Sequence, residues 1–589
     1  MNTFDKQSKI VRFAIGEALG TAWLWAAFIF LIAQACPGQP SGSVGQKGDK
    51  PELTSRWFFA FGYGRNREDV EKIKSLIDIG ADHGLNGMVL SSFGLDGITR
   101  WNKTDVALLQ EVAAYCAKKQ IELIPTGFSV GYGGGALGHD VNFAAALPAI
   151  IPLKAKAGKI SPVMSDNLLK NGDLEDHTGN NFKGYEYHDQ PGQISFVDTH
   201  AASGKTSIRF EHFDANKYGH GRIMQKVTIQ AGRAYRFAFK IKTQDLKPVS
   251  ELKAIVLKEG REVTSLQPKV KPTQDWTDVT LDFISSSGAE VGLYAGIWGG
   301  QSGRFWLDDL RFCECGTLSD IVRREGTPLE LRSRDRDAVF VEGKDFEGPK
   351  CLRELTSLHL PPGSAIRDGE NLQLSCYKIP YVTHAWGRQI SLCMSNPKLY
   401  DYWESQATRL HQIIPFRRFL LEMDEIRNGG GCLSCRARGL SMAAILGDCI
   451  TRQRVIFKAI DPKIEVLIWS DMLDPAHNAH NNYYGVVGDF TGSWKCAPRD
   501  LTIMCWNHAI RDESLAFFSR QGFRTFGAAY YDADDLTNPR EWLASLTRTL
   551  YAQGIMYTTW EKKYRLLADF GDLVSGVAAE SPTSTTFRK

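Results

Sequence analysis

The stretch "RRFLLEMDEIRNGGGC", residues 417–432, decides how the rest of the chain is read. A short apolar run ends in Asp424 and Glu425, then come Arg427 and three glycines, Gly429 to Gly431. Burying a charge is costly unless it is paired, so adjacent carboxylates at the tip of a buried strand need a reason. A barrel of parallel strands supplies one, because its functional groups gather where the strands end.

The flanking sequence has that rhythm. "RWFFAFGYG" (56–64) is followed by the helical "REDVEKIKSLIDIGADHG", then by "NGMVLSS" (86–92), "TDVALLQEVAAYCAKKQ" and "IELIPTGFS" (121–129). Apolar runs that alternate with segments of helical period indicate parallel strands and crossover helices. The rhythm stops near residue 160 and resumes at "FRRFLLEMDE" (416–425). It continues through "IEVLIWSDM" (464–472), "LTIMCWN" (501–507), "FRTFGAAYYD" (523–532) and "GIMYTTW" (554–560). Eight strands predict an α/β fold, a (β/α)8 TIM barrel interrupted after its third strand. "ENLQLSCYKI" (370–379) is the one segment that reads as a ninth strand.

The interruption is all-β. "TSIRFEHF", "GRIMQKVTI", "AYRFAFKIK", "DVTLDFIS" and "VGLYAGIW" alternate apolar and polar residues between turn signals. That is the pattern of a jelly-roll-like sandwich. The expected division is a leader at 1–36, a linker at 37–54 and the first part of the barrel at 55–160. The sandwich follows at 165–315 and a small β connection at 316–368. The second part of the barrel takes 369–575, and a tail takes 576–589.

Before the linker, Lys6, Lys9 and Arg12 precede the uncharged run "ALGTAWLWAAFIFLIAQA" (18–35), and Cys36 follows. A basic region, an apolar region and a small-x-small end read as a secretory signal. The expectation is a secreted, periplasmic or cell-surface protein, with membrane attachment through the N-terminus if the leader is retained. Cys36 resembles a bacterial lipoprotein cysteine, but Ala33 stands where that motif has leucine.

The chain of 589 residues is too long for a single core, and a net charge of +3 gives no case for a nucleic-acid partner. Fourteen tryptophans and nineteen tyrosines recur near strand ends, where flat aromatic faces suit sugar rings. Among twelve cysteines, "CEC" (313–315) and "CLSC" (432–435) are close pairs. Their mutual spacing is unlike a zinc ribbon, so buried thiols or disulfides are expected and no metal is expected in the barrel. "GYGGGALG" (131–138) lacks the lysine and hydroxyl of a phosphate loop and reads as a loop over the barrel mouth. Its Tyr132, with His139 and Asp140 beyond it, is within range of a bound substrate. Asp474 and His477 read as loop residues rather than metal ligands.

The strand ends after the fourth match it: Trp469 and Asp471, Trp506 and Asn507, Tyr530, Tyr531 and Asp532, and Trp560. With the Asp424–Glu425 pair, this set resembles family 20 glycoside hydrolases, the β-N-acetylhexosaminidase type. One departure is that Leu421, Glu422 and Met423 precede the pair, where that family has His-x-Gly-Gly. The insert, with "NLLKNGDLE", "ASGKTSIRF" and "WLDDLRF", resembles carbohydrate-binding modules of the family 4, 9 and 22 type. In such a sandwich Asn171, Glu175 and Asp308 are candidates for a structural calcium, and no other cofactor is expected.

The resemblance implies an exported glycoside hydrolase that takes terminal sugars from an oligo- or polysaccharide. Glu425 is then the general acid, its proton favoured by the neighbouring charge, and Asp424 assists the substrate's own acetamido group. Without an acetamido sugar, Asp471 or Asp532 must act as nucleophile or base. Both acids reach one pocket only if the chain turns right after them, which Gly429 to Gly431 allow. Arg427 either binds a sugar hydroxyl or balances Glu422, with the second favoured. The alternative from another class is a non-catalytic cell-surface carbohydrate-binding protein on a barrel scaffold. The sequence leaves the sugar, its linkage and the oligomeric state open.

Overall fold

The computed structural model describes residues 53–62, 66–91, 94–349, 356–384 and 387–576. The expected leader and most of the linker lie outside the described residues. Among the described residues no helix is long and apolar enough to cross a membrane.

Eight parallel strands close a barrel in chain order. They are β1 (Ser55–Phe61), β2 (Gly87–Ser91), β3 (Glu122–Gly127), β4 (Arg418–Leu421), β5 (Glu465–Trp469), β6 (Thr502–Cys505), β7 (Arg524–Tyr530) and β8 (Ala552–Thr558). These are the eight segments expected, in the order expected. Their runs are apolar throughout because both faces are buried. Trp57, Phe59, Val89, Ile124, Leu420, Leu467, Met504, Phe526 and Met556 fill the barrel interior. Alternate residues such as Phe58, Ala60, Leu421 and Met423 pack outward against the helices.

The helices start where the sequence offers caps. Asn66 accepts from Asp69 N–H at the head of Arg67–Asp82, and Asn102 accepts from Asp105 N–H at the head of Lys103–Lys118. Asn396, with proline at the next position, starts Pro397–Ile413, and Ser441 starts Met442–Ile460. Each cap satisfies an amide that the helix itself leaves unpaired.

The interruption holds two β units, which corrects the expected boundaries. Residues 370–379 are not a barrel strand: Asn371–Lys378 pairs antiparallel with Leu147–Lys156. Together with Lys159–Pro162, Glu330–Ser333 and two short strands they form a six-stranded sheet with its own core. The first barrel segment therefore ends before residue 147, not at 160, and the second starts after residue 389, not at 369. Leu147–Lys156 alternates buried and half-exposed or exposed residues, the signature of a one-sided sheet rather than a barrel strand.

The second unit is the expected sandwich, a five-stranded sheet packed on a seven-stranded one around Phe210, Phe237, Leu293, Ile297 and Phe305. Its larger sheet does not stop at residue 315. Arg261–Leu266 pairs with Val382–His384, and Gly387–Gln389 forms the sheet's last strand. The sandwich sheet thus runs up to the mouth of the barrel.

Candidate functional site

The site is built where β4 stops. Leu420 faces the barrel interior and Leu421 and Met423 the helical layer, so Glu422 and Asp424 follow Leu420 inward. Glu425 comes next and would point outward if the strand continued. Instead its φ is +48°, a left-handed conformation that costs a non-glycine residue about 1 kcal/mol or more. The turn that brings both acids to one face is made by Glu425 itself, not by the glycines.

Neighbouring groups hold that conformation in place. Glu425 N–H donates to Asp471 Oδ2 at 2.8 Å, and Gln389 Nε2 donates to the Glu425 carbonyl at 2.9 Å. Gly131 lies so close that a Cβ there would sit 2.1 Å from the Asp424 carbonyl oxygen. The glycine-rich loop therefore packs against the acidic turn. Gly430, with φ +78°, allows the following loop to pass the carbonyl of Val487, 2.2 Å from where a Cβ would be.

The side chains of the pair have unequal surroundings. Glu425 Oε1 pairs with Arg427 Nη2 at 2.9 Å, and Tyr132 donates its hydroxyl to Glu425 Oε2. Arg427 also donates to Gln389 Oε1 and lies over the Tyr484 ring, 4.9 Å from its centroid. Arg427 is thus Glu425's partner and not, as expected, Glu422's. Glu422 points into the barrel, where Thr126 and Ser91 donate their hydroxyls to its Oε1 at 3.1 and 3.4 Å. Burial pushes Glu422 up to about 7. Asp424 lies among Asp471, Glu425 and Glu422, and burial followed by those three charges raises it well above the usual carboxylate range. Asp471, fully buried, is pushed up to about 6, chiefly by burial.

Asp471 joins the acids to the aromatic wall. Its Oδ2 also accepts from Asn478 Nδ2 at 2.8 Å, and its Oδ1 faces Trp506 Nε1 at 3.4 Å. Trp506 and Tyr531 stack nearly parallel, 8° apart with centroids at 5.7 Å. Trp560 stands across Tyr531 at 6.3 Å and near Trp469 at 6.2 Å. Trp469 forms the floor at 2 % exposure, whereas Trp560 is 41 % exposed. Phe59 and Phe61 complete the wall behind Trp560, at 5.2 and 5.7 Å.

Three expected site residues do other work. Tyr530, with φ +74°, is fully buried and stacks on Tyr557 at 4.1 Å in the helical layer. Its left-handed backbone turns it out of the barrel interior that Phe526 and Ala528 occupy. Asp532 accepts from Thr559 Oγ1, from Trp560 N–H at 2.8 Å and from Glu561 N–H at 3.3 Å, so it fixes the loop that presents Trp560. Asn507 caps a short turn through Ala509 N–H at 3.1 Å and faces His477 Nε2 at 3.4 Å. Asp474 accepts from Ala476 N–H within its own loop, and His477 packs edge-on against Trp506. Beyond Tyr132, His139 stacks on Tyr402 and Asp140 holds Asn142 N–H, both in the support of the glycine-rich loop.

Asp96, Gln389, Phe59 and Phe61 stand outside the sequence expectation. Asp96 follows β2, accepts from Gly135 N–H at 2.8 Å and is pushed up to about 7 by burial. The rule that picked out the other strand-end carboxylates, applied to β2, finds it. No local signal marks Gln389, because its strand joins the sheet through Val382–His384 and the distant Arg261–Leu266. In the sandwich, the calcium candidates spend oxygens on backbone amides. Glu175 accepts from Lys205 and Thr206, Asp308 from Ala202, Ser203 and Asp309, and Asn171 from Asp176.

No protein-family model matches the sequence, and no curated protein matches it. Among solved structures, the chain is similar to a chitobiase of Flavobacterium johnsoniae at 7 % identity and TM-score 0.34, over 89 % of this chain and 48 % of that one. A rhamnosidase from Novosphingobium sp. PP1Y matches at 9 % identity and TM-score 0.31, over 87 % and 55 % of the two chains. A family 16 carbohydrate-binding module matches at 19 % identity and TM-score 0.19, over 25 % of this chain and 99 % of its own.

Proposed function

We propose that the chain is a glycoside hydrolase that removes a terminal sugar, an N-acetylhexosamine first among candidates, from a glycan. The observation that carries this reading is the Asp424–Glu425 pair, turned to one face beside Asp471 and under the wall of Trp506, Tyr531 and Trp560. Stacked and tilted indoles offer flat apolar surface to a pyranose ring, while the carboxyls supply the proton and the charge that glycosidic cleavage needs.

The electrostatics suggest how one proton serves two acids. In the resting site Asp424 holds the proton, since burial and three neighbouring carboxyls disfavour its anion, while Glu425 pairs with Arg427 and accepts from the Tyr132 hydroxyl. A substrate amide N–H hydrogen-bonded to Asp424 favours the Asp424 anion. The proton then passes to Glu425, which delivers it to the leaving oxygen, and Asp424 stabilises the charge that builds on the acetamido group. On a sugar without that group, Asp471 and Glu422 are the carboxyls next to the pair, because Asp532 is committed to its loop.

The test is turnover by the purified full chain of a panel of aryl glycosides that includes N-acetylhexosaminides, and of oligosaccharides of the same terminal sugars. Hydrolysis of an acetamido sugar, lost in Glu425→Gln with natural leaving groups, supports the proposal. Sugar binding with no turnover of any glycoside leaves a carbohydrate-binding protein instead.

A further inference from the structure

Three buried thiols that the proposed chemistry does not use come together beside the loop that follows the acidic turn. Cys432 stands at the head of the single helical turn Leu433–Arg436 just after Gly431, Cys435 lies within that turn, and Cys393 comes from the segment that leads into helix Pro397–Ile413. All three are buried free thiols. Their sulfurs form a triangle with sides of 3.5, 3.6 and 3.8 Å. A zinc ion bonds thiolates at about 2.3 Å, and a tetrahedron of that size has edges of about 3.8 Å. Among the described residues this is the one cluster of three or more His, Cys, Asp or Glu ligand atoms close enough to share an ion.

A second observation concerns charge. Arg324 reaches in beside the triangle, its Nη2 at 3.9 Å from Cys432 Sγ and at 3.2 Å from the Ala144 carbonyl. Its Nε and Nη1 are buried with no hydrogen-bond partner. A guanidinium whose nitrogens are buried in this way calls for a counter-charge beside it. Three thiolates on a divalent ion carry a net charge of −1 and supply that counter-charge. Next to the sulfurs is a cavity of about 10 Å³, lined by Ala146, Met394, Gly429, Gly430 and Met442, with room for one water-sized ligand.

We propose that Cys393, Cys432 and Cys435 bind one zinc ion as thiolates, with the fourth tetrahedral position on the cavity side and Arg324 as counter-ion. Binding takes one Zn²⁺, releases three protons to solvent and changes no oxidation state. The ion ties the loop that follows Glu425 and Arg427 to the start of the helix at Pro397. It is a structural centre and takes no part in the chemistry of the pocket. The other close pair in the sequence, "CEC", takes no part: Cys313 lies near the end of the last long strand of the sandwich and Cys315 follows it.

The test is elemental analysis of the full chain purified without chelator. About one zinc per chain is expected, falling below about a tenth in Cys393→Ser and Cys435→Ser. A chelator-treated sample should unfold at a lower temperature and recover when zinc is added. Cobalt added to that sample should give sulfur-to-metal charge-transfer bands and the strong visible bands of a tetrahedral ion. This last measurement needs no variant to fold. A wild-type chain that holds no zinc and gives no thiolate–cobalt bands overturns the proposal, as does a Cys432–Cys435 disulfide in freshly purified protein.

Discussion

The backbone N–H of Glu425 donates to the carboxylate of Asp471, 2.8 Å away, across the ends of two adjacent barrel strands. One carboxyl thereby fixes the left-handed turn that aims the other two. The same Asp471 raises the proton affinity of Asp424 through like charge, so position and protonation depend on a single residue.

Replacing Asp471 separates those two effects. Asp471→Ala loses the acceptor, frees the turn and should lower turnover about 10²-fold, the usual cost of a misplaced catalytic group. Asp471→Asn keeps an acceptor oxygen and removes the charge. Less repulsion lowers the affinity of Asp424 for its proton, so the limb of the kcat/KM–pH profile that reports Asp424 should move to lower pH. Identical pH profiles for wild type and Asp471→Asn would show that the two carboxyls do not interact.

Glu422 predicts a stability signature. Its proton affinity is raised from the ordinary 4.5 to about 7, so the folded chain holds a proton that the unfolded chain releases between those values. Stability should therefore fall as pH rises through that window and level off above it. The shift corresponds to a loss of about 3 kcal/mol. Glu422→Gln cannot ionise, yet its carbonyl can still accept from Thr126. Urea unfolding at pH 5 and pH 8 should show a clearly smaller difference for the variant, and an unchanged difference refutes the assignment. Asp96 titrates in the same direction, so some slope remains.

The aromatic wall predicts a KM effect. Trp560→Ala removes one face of the pocket and should raise KM about tenfold, roughly 1.4 kcal/mol, with a smaller change in kcat. Asp532 anchors Trp560 through its backbone N–H, so Asp532→Ala should reproduce the pattern more weakly. A collapse of kcat with KM unchanged in Asp532→Ala would instead make Asp532 a catalytic carboxylate.

The insert predicts an independent folding unit. Residues 165–315 enclose their own core, with Phe210, Phe237 and Phe305 fully buried, and the isolated fragment should give a soluble, β-rich, cooperatively unfolding domain. Its exposed edge is Arg261–Leu266, which loses Val382–His384 as a neighbour. A chain extended to residue 390 should therefore be more stable, and equal stability would show that the added strands contribute nothing.

What the sequence shows depends on how local the cause is. Barrel strands buried on both faces are plain in the apolar runs at 56–61, 464–469 and 501–505, and the strand-end rule finds Asp424, Glu425, Asp471, Trp506 and Tyr531. The same rule includes Tyr530, because a left-handed φ at that residue has no mark in the sequence. The partner of Arg427 is hidden for a related reason: strand parity sends Glu422 inward, and only the turn at Glu425 brings its side chain back to Arg427. Gln389 and Cys393 depend on segments distant in sequence meeting in space. The six-stranded sheet has no local mark because its central strands, 147–156 and 371–378, stand on opposite sides of the sandwich in the chain.

The two acids themselves give the sharpest prediction. Glu425→Gln keeps the shape and can still accept from Tyr132, but it has no proton to transfer. General acid catalysis contributes about 10² to 10⁴-fold, and a loss of that size is expected on glycosides with poor leaving groups. Aryl glycosides whose leaving groups depart unaided should lose far less. Asp424→Asn should slow both substrate types alike, since its part is to orient and stabilise the acetamido group whatever departs. If the roles are reversed and Asp424 is the direct donor, Asp424→Asn will carry the leaving-group dependence and Glu425→Gln will not. The resting proton on Asp424 is compatible with either variant's folding, so the contrast reads chemistry rather than stability. Equal damage from Glu425→Gln on both leaving groups, with Tm unchanged, removes Glu425 as the proton donor.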